Sequence, residues 1–177
     1  MLIFRHAEMK DMDDIMRVVG EAQRFMSTLN IDQWQDGYPE RETLEADVAL
    51  RRLCLLEDGG RVAAFAALLT EPEPIYDAID GAWAVPGPYL TIHRMALDDA
   101  HRGRGLAGEI VARAVTIAHE NGCAAIRADT HPGNVAMRRF LEKRGFVYRG
   151  IVRYEVKKGD PTRVAYEKDL RNCSVPL

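Results

Sequence analysis

The chain predicts a mixed α/β (α+β) fold with one central sheet, mostly antiparallel, that carries a single parallel strand pair and about four flanking helices. Three observations carry this expectation. Two apolar runs, Leu53–Leu56 and Val62–Leu69, flank the tight-turn signal Asp58-Gly59 and predict an antiparallel hairpin. The stretch from Tyr89 to Asp129 reads strand, helix, strand, which is the pattern of a parallel crossover. Two further strand-like runs close the chain, so the regular alternation of a doubly wound fold is missing.

Taken in order, Leu2–His6 is a short run in a β-rich alphabet and reads as a strand. From Asp11 onward, Ile15, Met16, Val18, Val19, Ala22, Phe25 and Met26 recur at helical spacing and predict an amphipathic helix. Residues 30–39 mix turn formers with two large aromatics, a loop, and Glu40 resumes helical spacing through Leu44, Val48 and Leu50. After the hairpin comes a proline-punctuated connection from Pro72 to Pro88. Tyr89–Leu97 reads as a strand, Gly103–Gly122 as a helix, Ala124–Asp129 as a strand and Asn134–Arg144 as a helix. Val147–Val156 and Arg163–Leu170 are the closing strands, separated by the turn-like Lys158-Gly159-Asp160-Pro161. No internal repeat interrupts the series.

A chain of 177 residues suits one compact domain without disulfide or metal staples, so residues 1–177 are expected to form a single domain. The 24 basic against 27 acidic side chains leave a formal charge of −3, which gives no footprint for a nucleic-acid partner. Cys54, Cys123 and Cys173 are odd in number and widely spaced, and they form no Cys-x-x-Cys pair or Cys/His cluster, so no metal site is expected and a reducing compartment fits. The N-terminus is charged by Arg5, and no run approaches the roughly 20 apolar residues of a membrane span. These features predict a soluble, cytoplasmic protein with no membrane partner.

The chemistry centres on His101-Arg-Gly-Arg-Gly-Leu-Ala-Gly108, just after a strand and opening a long helix. Free backbone N–H groups and the helix dipole favour an anion there, and the glycines let the backbone close on a phosphate. Arg102 and Arg104 add full charges suited to a ligand with several phosphate oxygens, such as a pyrophosphate. A bare Gly-x-Gly can equally make only a tight turn beside solvated arginines. The same letters, Gly103-x-Gly105-x-x-Gly108 with Asp129 downstream, also spell a dinucleotide fingerprint. Against that, residues 98–102 intervene between the strand and the first glycine, and no second βαβα half is present.

With Arg102, Gly105 and Ala107 in this spacing, the loop resembles the phosphate-loop signature of the GNAT superfamily, and Met95-Ala96-Leu97 is similar to that family's strand end. A second stretch, Asn134 to Phe146, resembles the family's later helix, which begins with Asn and closes in Gly-Phe. The resemblance implies a sheet whose parallel strands splay and a coenzyme, acetyl-CoA, held in that gap. Its pantetheine arm would pair with backbone at Met95, Ala96 and Leu97, and its pyrophosphate would lie on Arg102, Gly103, Arg104, Gly105, Leu106, Ala107 and Gly108. Asn134 and Phe140 are the further coenzyme positions implied by the second motif, Asn134 also suiting a helix N-cap. Lys143 and Arg144 are candidates for the adenosine 3′-phosphate, although charges in a last turn also answer the helix dipole.

The implied reaction is attack of an uncharged amine on the thioester, which requires proton removal, an oxyanion stabiliser and release of a thiolate. His93, on the strand expected to face the acetyl group, is the candidate for proton transfer, with His131 second. Each is also a candidate for a plain structural role, His93 packed in the sheet and His131 holding a turn. The resemblance implies a tyrosine as general acid where this sequence has Leu141. Trp34, Gln35, Tyr38 and Trp83 lie in loops where the resemblance places the acceptor, and aromatic faces there suit an apolar body or an amine cation. Trp34 is equally able to plug the core. The expected activity is N-acetyl transfer to a primary amine of a small molecule or peptide, and family habit implies a homodimer. The competing functions are a coenzyme A-binding protein with weak or lost catalysis, favoured by Leu141, and a dinucleotide-dependent oxidoreductase.

Overall fold

The computed structural model describes residues 1–171, so Cys173 lies outside the described residues. The chain divides into two compact units, Met1–Leu68 with His93–Val111, and Leu69–Ile92 with the described chain from Ala112 onward.

In the first unit, β1 (Leu2–His6) pairs antiparallel with β2 (Leu53–Asp58), and β2 with β3 (Arg61–Leu69). The hairpin register sets Asp58 opposite Arg61, leaving Gly59 and Gly60 as the connection. Their φ angles of +59° and +80° are the consecutive left-handed values that a two-residue hairpin requires. Leu53–Leu56 and Val62–Leu68 are buried without alternation, the signature of strands covered on both faces. Helix α1 (Met12–Thr28) buries Met12, Ile15, Val18, Val19 and Met26, while α2 (Arg41–Ala49) buries Leu44, Asp47 and Val48. Arg5 of β1 fixes the entry to α1 through a fork of bonds to Asp11 at 2.7 and 2.9 Å.

The second unit is organised by strand pairing and one buried charge. The proline-rich connection holds a helical turn, Pro74–Ala78, and a two-residue strand, β4 (Asp80–Gly81), neither foreseen from the sequence. The first half of β5 (Tyr89–Leu97) runs parallel to β6 (Ala125–Thr130), with rungs from Tyr89↔Ala125 to Ile92↔Ala128. Strand β8 (Thr162–Asp169) pairs antiparallel with both β6 and β7 (Val147–Arg153), and β7 pairs antiparallel with β4. At the rung Gly81↔Gly150 a β-carbon on Gly150 would come within 2.3 Å of the Asp80 carbonyl oxygen, so only glycine lets these backbones meet. Glu167 of β8 is 0% exposed and accepts from Arg127, Arg149 and the N–H groups of Ala84 and Val85. Arg127 is itself stacked between Trp83 and Tyr89, 4.2 and 3.8 Å from the ring centroids.

The eight strands follow the order β1-β2-β3-β5-β6-β8-β7-β4, β5 contributing its two halves to the two units. With α3 (Leu106–Glu120) and α4 (Val135–Lys143) the described residues contain four α-helices. The expected fold class, a mostly antiparallel mixed sheet with one parallel pair, is the one observed. No helix among the described residues is long and apolar enough to cross a membrane.

Candidate functional site

In the first unit β5 ends at Leu97, and the chain makes one helical turn, Asp99–His101, before α3 begins at Leu106. Asp98 anchors that turn. One of its oxygens accepts from the Ala100 N–H at 2.8 Å and lies 2.9 Å from His101 Nδ1, while the other accepts from Arg17 of α1 at 2.6 Å. Glu21, one helical turn on from Arg17, accepts from the Asp99 N–H at 2.9 Å. The two acids that look in sequence like an obstacle to anion binding are therefore occupied. Asp99 accepts from Arg102 Nε at 2.7 Å, and the Arg102 guanidinium lies 3.9 Å from the centroid of Phe25. This contact explains why Phe25, a member of the expected apolar stripe of α1, is 41% exposed.

Gly103 and Gly105 have φ of +75° and +82°, and a β-carbon on either would meet open space. Backbone conformation rather than crowding selects glycine at both positions. The N–H groups of Gly108 and Glu109 return to the Gly105 carbonyl at 2.9 and 3.2 Å. The amides of Leu106 and Ala107 precede the i→i−4 ladder and have no intrahelical acceptor. With the helix dipole, the held Arg102 and the exposed Arg104, the loop gathers donors and positive charge of the kind that suits phosphate oxygens.

Asp98 is held below its ordinary value of 3.8. Burial works against this, and the hydrogen bonds from His101 and Arg17 outweigh it. Asp11 is also held down, chiefly by the Arg5 bonds. Such carboxyls bind a proton more readily unfolded than folded, so their stabilisation is complete above about pH 4 and is lost as pH falls through and below that value. Urea unfolding near pH 7 and near pH 3 is expected to show this loss, and Asp98→Asn is expected to be less stable near pH 7 with a smaller drop on acidification.

Arg94 of β5 has φ of +55°, a left-handed conformation that costs a non-glycine residue on the order of 1–2 kcal/mol. Its guanidinium donates through Nη1 to Asp47 Oδ2 at 2.9 Å and through Nε to the Tyr38 hydroxyl at 2.7 Å. Burial pushes the Asp47 carboxyl up, with Arg94 opposing. The same carboxyl is within electrostatic reach of half-buried His93. Trp34, at φ of +68°, sits edge-on to Tyr38 with centroids 6.4 Å apart. Gln23 of α1 donates to the Tyr38 carbonyl, and Gln35 donates back to the Gln23 carbonyl. Trp34, Gln35, Tyr38 and His93 thus belong to one unit, on or beside β5, while Met95 and Leu97 are half-buried and Ala96 is buried.

The remaining expected positions lie in the second unit. Trp83 donates through Nε1 to the Tyr76 carbonyl at 2.9 Å and has Arg127 over its face, so its ring is committed to the packing of that unit. His131 Nδ1 accepts from the Gly133 N–H at 3.0 Å and braces the turn before α4. Asn134 caps α4, accepting from the Met137 N–H at 3.1 Å. Phe140 carries Arg144 over its ring at 5.7 Å, and Leu141 is 2% exposed. Asp129, the acid of the dinucleotide pattern, accepts at Oδ2 from the hydroxyls of Tyr76 and Tyr154, each at 2.8 Å. Sequence reasoning missed Arg17, Asp47, Arg94 and this tyrosine pair, because each acts through a partner distant in the chain.

The comparisons give the family. The sequence matches the Acetyltransferase (GNAT) family over residues 18–146, and the chain belongs to that family. It is similar to a GNAT-family acetyltransferase from Streptococcus agalactiae 2603, with 34% identity, 95% of each chain covered and a TM-score of 0.80. A GNAT-family acetyltransferase from Listeria monocytogenes 4b F2365 shares 19% identity over 96% of this chain and 95% of its own, at a TM-score of 0.72. The PaiA N-acetyltransferase of Thermoplasma acidophilum, solved in complex with coenzyme A, shares 14% identity over 96% of this chain and 99% of its own, at 0.70. The last two likenesses are of fold. No curated protein matches the chain. Acetyl transfer from acetyl-CoA is the family's chemistry, and the sheet order departs from the doubly wound arrangement of the dinucleotide alternative.

Proposed function

We propose that residues 1–177 act as one N-acetyltransferase domain that moves the acetyl group of acetyl-CoA to a primary amine. The observation that carries this reading is the loop from Arg102 to Gly108, where two left-handed glycines, free helix-start amides and a stacked arginine suit a pyrophosphate. The family match spans both compact units, which favours a single functional domain.

Acetyl-CoA supplies an activated thioester, and the chain's own groups bind, orient and move protons. Arg102, Arg104 and the amides of Gly103 to Gly108 hold the phosphates. Backbone at Met95, Ala96 and Leu97 pairs with the pantetheine arm, following a strand whose course is bent at Arg94. Trp34 and Tyr38 line the acceptor side, Tyr38 held at its hydroxyl by Arg94 and at its backbone carbonyl by Gln23, with Trp34 edge-on to its ring. His93 takes the proton from the amine, with the Asp47 carboxyl within electrostatic reach.

Two results test these roles. His93→Gln is expected to lower kcat about hundredfold, the scale of general-base loss, with acetyl-CoA affinity within about twofold of wild type. An unchanged kcat would remove His93 from the chemistry. Leu141, buried where the family places a tyrosine, favours a second reading, coenzyme A binding with weak turnover. Free thiol has a pKa of about 8.5, so unassisted departure of the thiolate remains compatible with catalysis near neutral pH. Product analysis with acetyl-CoA and a panel of amines separates the two readings.

A further inference from the structure

Helix α1 supports the phosphate loop with side chains that its apolar stripe does not include. Arg17, Glu21 and Phe25 recur at four-residue spacing and so share one face of α1. Each meets a later position of the segment that leads into the loop. Arg17 donates to Asp98 at 2.6 Å, Glu21 accepts from the Asp99 N–H at 2.9 Å, and the Phe25 ring lies under the Arg102 guanidinium, 3.9 Å from its carbon to the ring centroid. Arg17 also donates to Glu21 at 2.6 Å, so this face is bonded within itself as well as to the segment. One turn earlier, Asp14 accepts from the Val62 N–H at 2.6 Å and ties α1 to β3. All of these residues belong to the first unit.

The two arginines of the loop are held differently. Arg102 is fixed at two points, by its Nε bond to Asp99 at 2.7 Å and by the face of Phe25, and its two terminal nitrogens make no hydrogen bond among the described residues. Arg104 reaches Asp58 at 3.9 Å, and 58% of its side chain is exposed. An unheld arginine gives up its rotamer freedom on meeting a ligand, whereas one already stacked and bonded has given it up on folding. A ring suits this task because it holds the guanidinium by its flat face and leaves the fork of donors at the edge available. At 41% exposure Phe25 is not a core residue, and its ring face is occupied by the guanidinium.

We infer that Phe25 is a positioning residue for coenzyme binding, which acts through Arg102 by holding the guanidinium on its face while the terminal nitrogens bond the pyrophosphate. The inference rests on the phosphate-loop reading and adds a residue of α1 to it. Phe25 is assigned no contact with the coenzyme itself.

Calorimetric titration of acetyl-CoA into the full-length protein tests it. Phe25→Leu keeps an apolar side chain, removes the aromatic face and is expected to bind acetyl-CoA about fivefold more weakly, the scale of an exposed cation–π contact. Phe25→Tyr restores a ring and is expected to bind within about twofold of wild type. A double-mutant cycle separates action through Arg102 from a merely structural role. Adding Phe25→Leu to Arg102→Ala is expected to cost nothing further, while adding it to Arg104→Ala is expected to cost the same factor of about five. Wild-type affinity in Phe25→Leu, an equal loss in Phe25→Tyr, or a further loss on top of Arg102→Ala would overturn the inference. With Arg102→Ala itself weakened, those outcomes leave the phosphate-loop reading standing. Wild-type affinity in both Arg102→Ala and Gly105→Glu would instead overturn the loop reading, and the inference with it.

Discussion

Gly105→Glu is expected to weaken acetyl-CoA binding about hundredfold, near 2.7 kcal/mol, while leaving the protein folded. Two physical effects combine. At φ of +82° any side chain forces the backbone into strain, on the order of 1–2 kcal/mol, and the loop relaxes away from the conformation that collects its amides. The added carboxylate then places negative charge where the helix start and Arg102 present positive potential. Because a β-carbon there meets open space, no core packing is lost and the melting temperature should fall by only a few degrees. Gly105→Ala, which carries the strain without the charge, should fall between the variant and wild type. Calorimetry with acetyl-CoA on the three proteins checks the order, and equal affinities would show that phosphates do not bind this loop.

Glu167→Ala has the largest expected effect on stability, about 3–5 kcal/mol. The side chain is fully buried and answers four donors at once, the guanidinium groups of Arg127 and Arg149 and the amides of Ala84 and Val85. Its removal leaves buried Arg127 without a counter-charge and two backbone N–H groups without an acceptor. The melting temperature should fall by about 10 °C or more. Glu167→Gln, which retains an acceptor oxygen, should fall less. A near-native melting temperature for Glu167→Ala would mean that the Trp83 and Tyr89 rings stacked on Arg127 suffice to hold it.

These two positions differ in how far the sequence disclosed them. The loop was legible because its backbone and the phosphate role proposed for it require particular letters in order. Glycine suits the left-handed backbone observed at Gly103 and Gly105, and arginine the proposed phosphate contact, and both read directly at residues 102–108. Glu167 was not legible, since its partners stand 18 and 40 residues away and a glutamate in a strand usually faces water. Arg94 shows the same limit for backbone. Nothing in Tyr89–Leu97 announces a left-handed arginine, because the conformation is imposed by Asp47 and Tyr38 from other segments. The strands and helices with strong periodicity were placed closely, Tyr89–Leu97 to the residue. The two-residue strand Asp80–Gly81 escaped, as its register depends on Gly150 rather than on any local pattern. Trp34, Tyr38 and Trp83 looked alike as loop aromatics. Only packing separated Trp83, with Arg127 across its face, from the pair on the first unit.

The transfer of acetyl from acetyl-CoA to an amine is tested most directly by mass spectrometry of the products formed when the wild-type protein, acetyl-CoA and a mixture of primary amines are incubated together. The expected result is one or a few N-acetylated amines, with free coenzyme A released in equal amount and both products lost with Gly105→Glu. Coenzyme A released without any acetylated amine, or no release at all despite micromolar binding, would contradict amine transfer and leave a coenzyme A-binding protein.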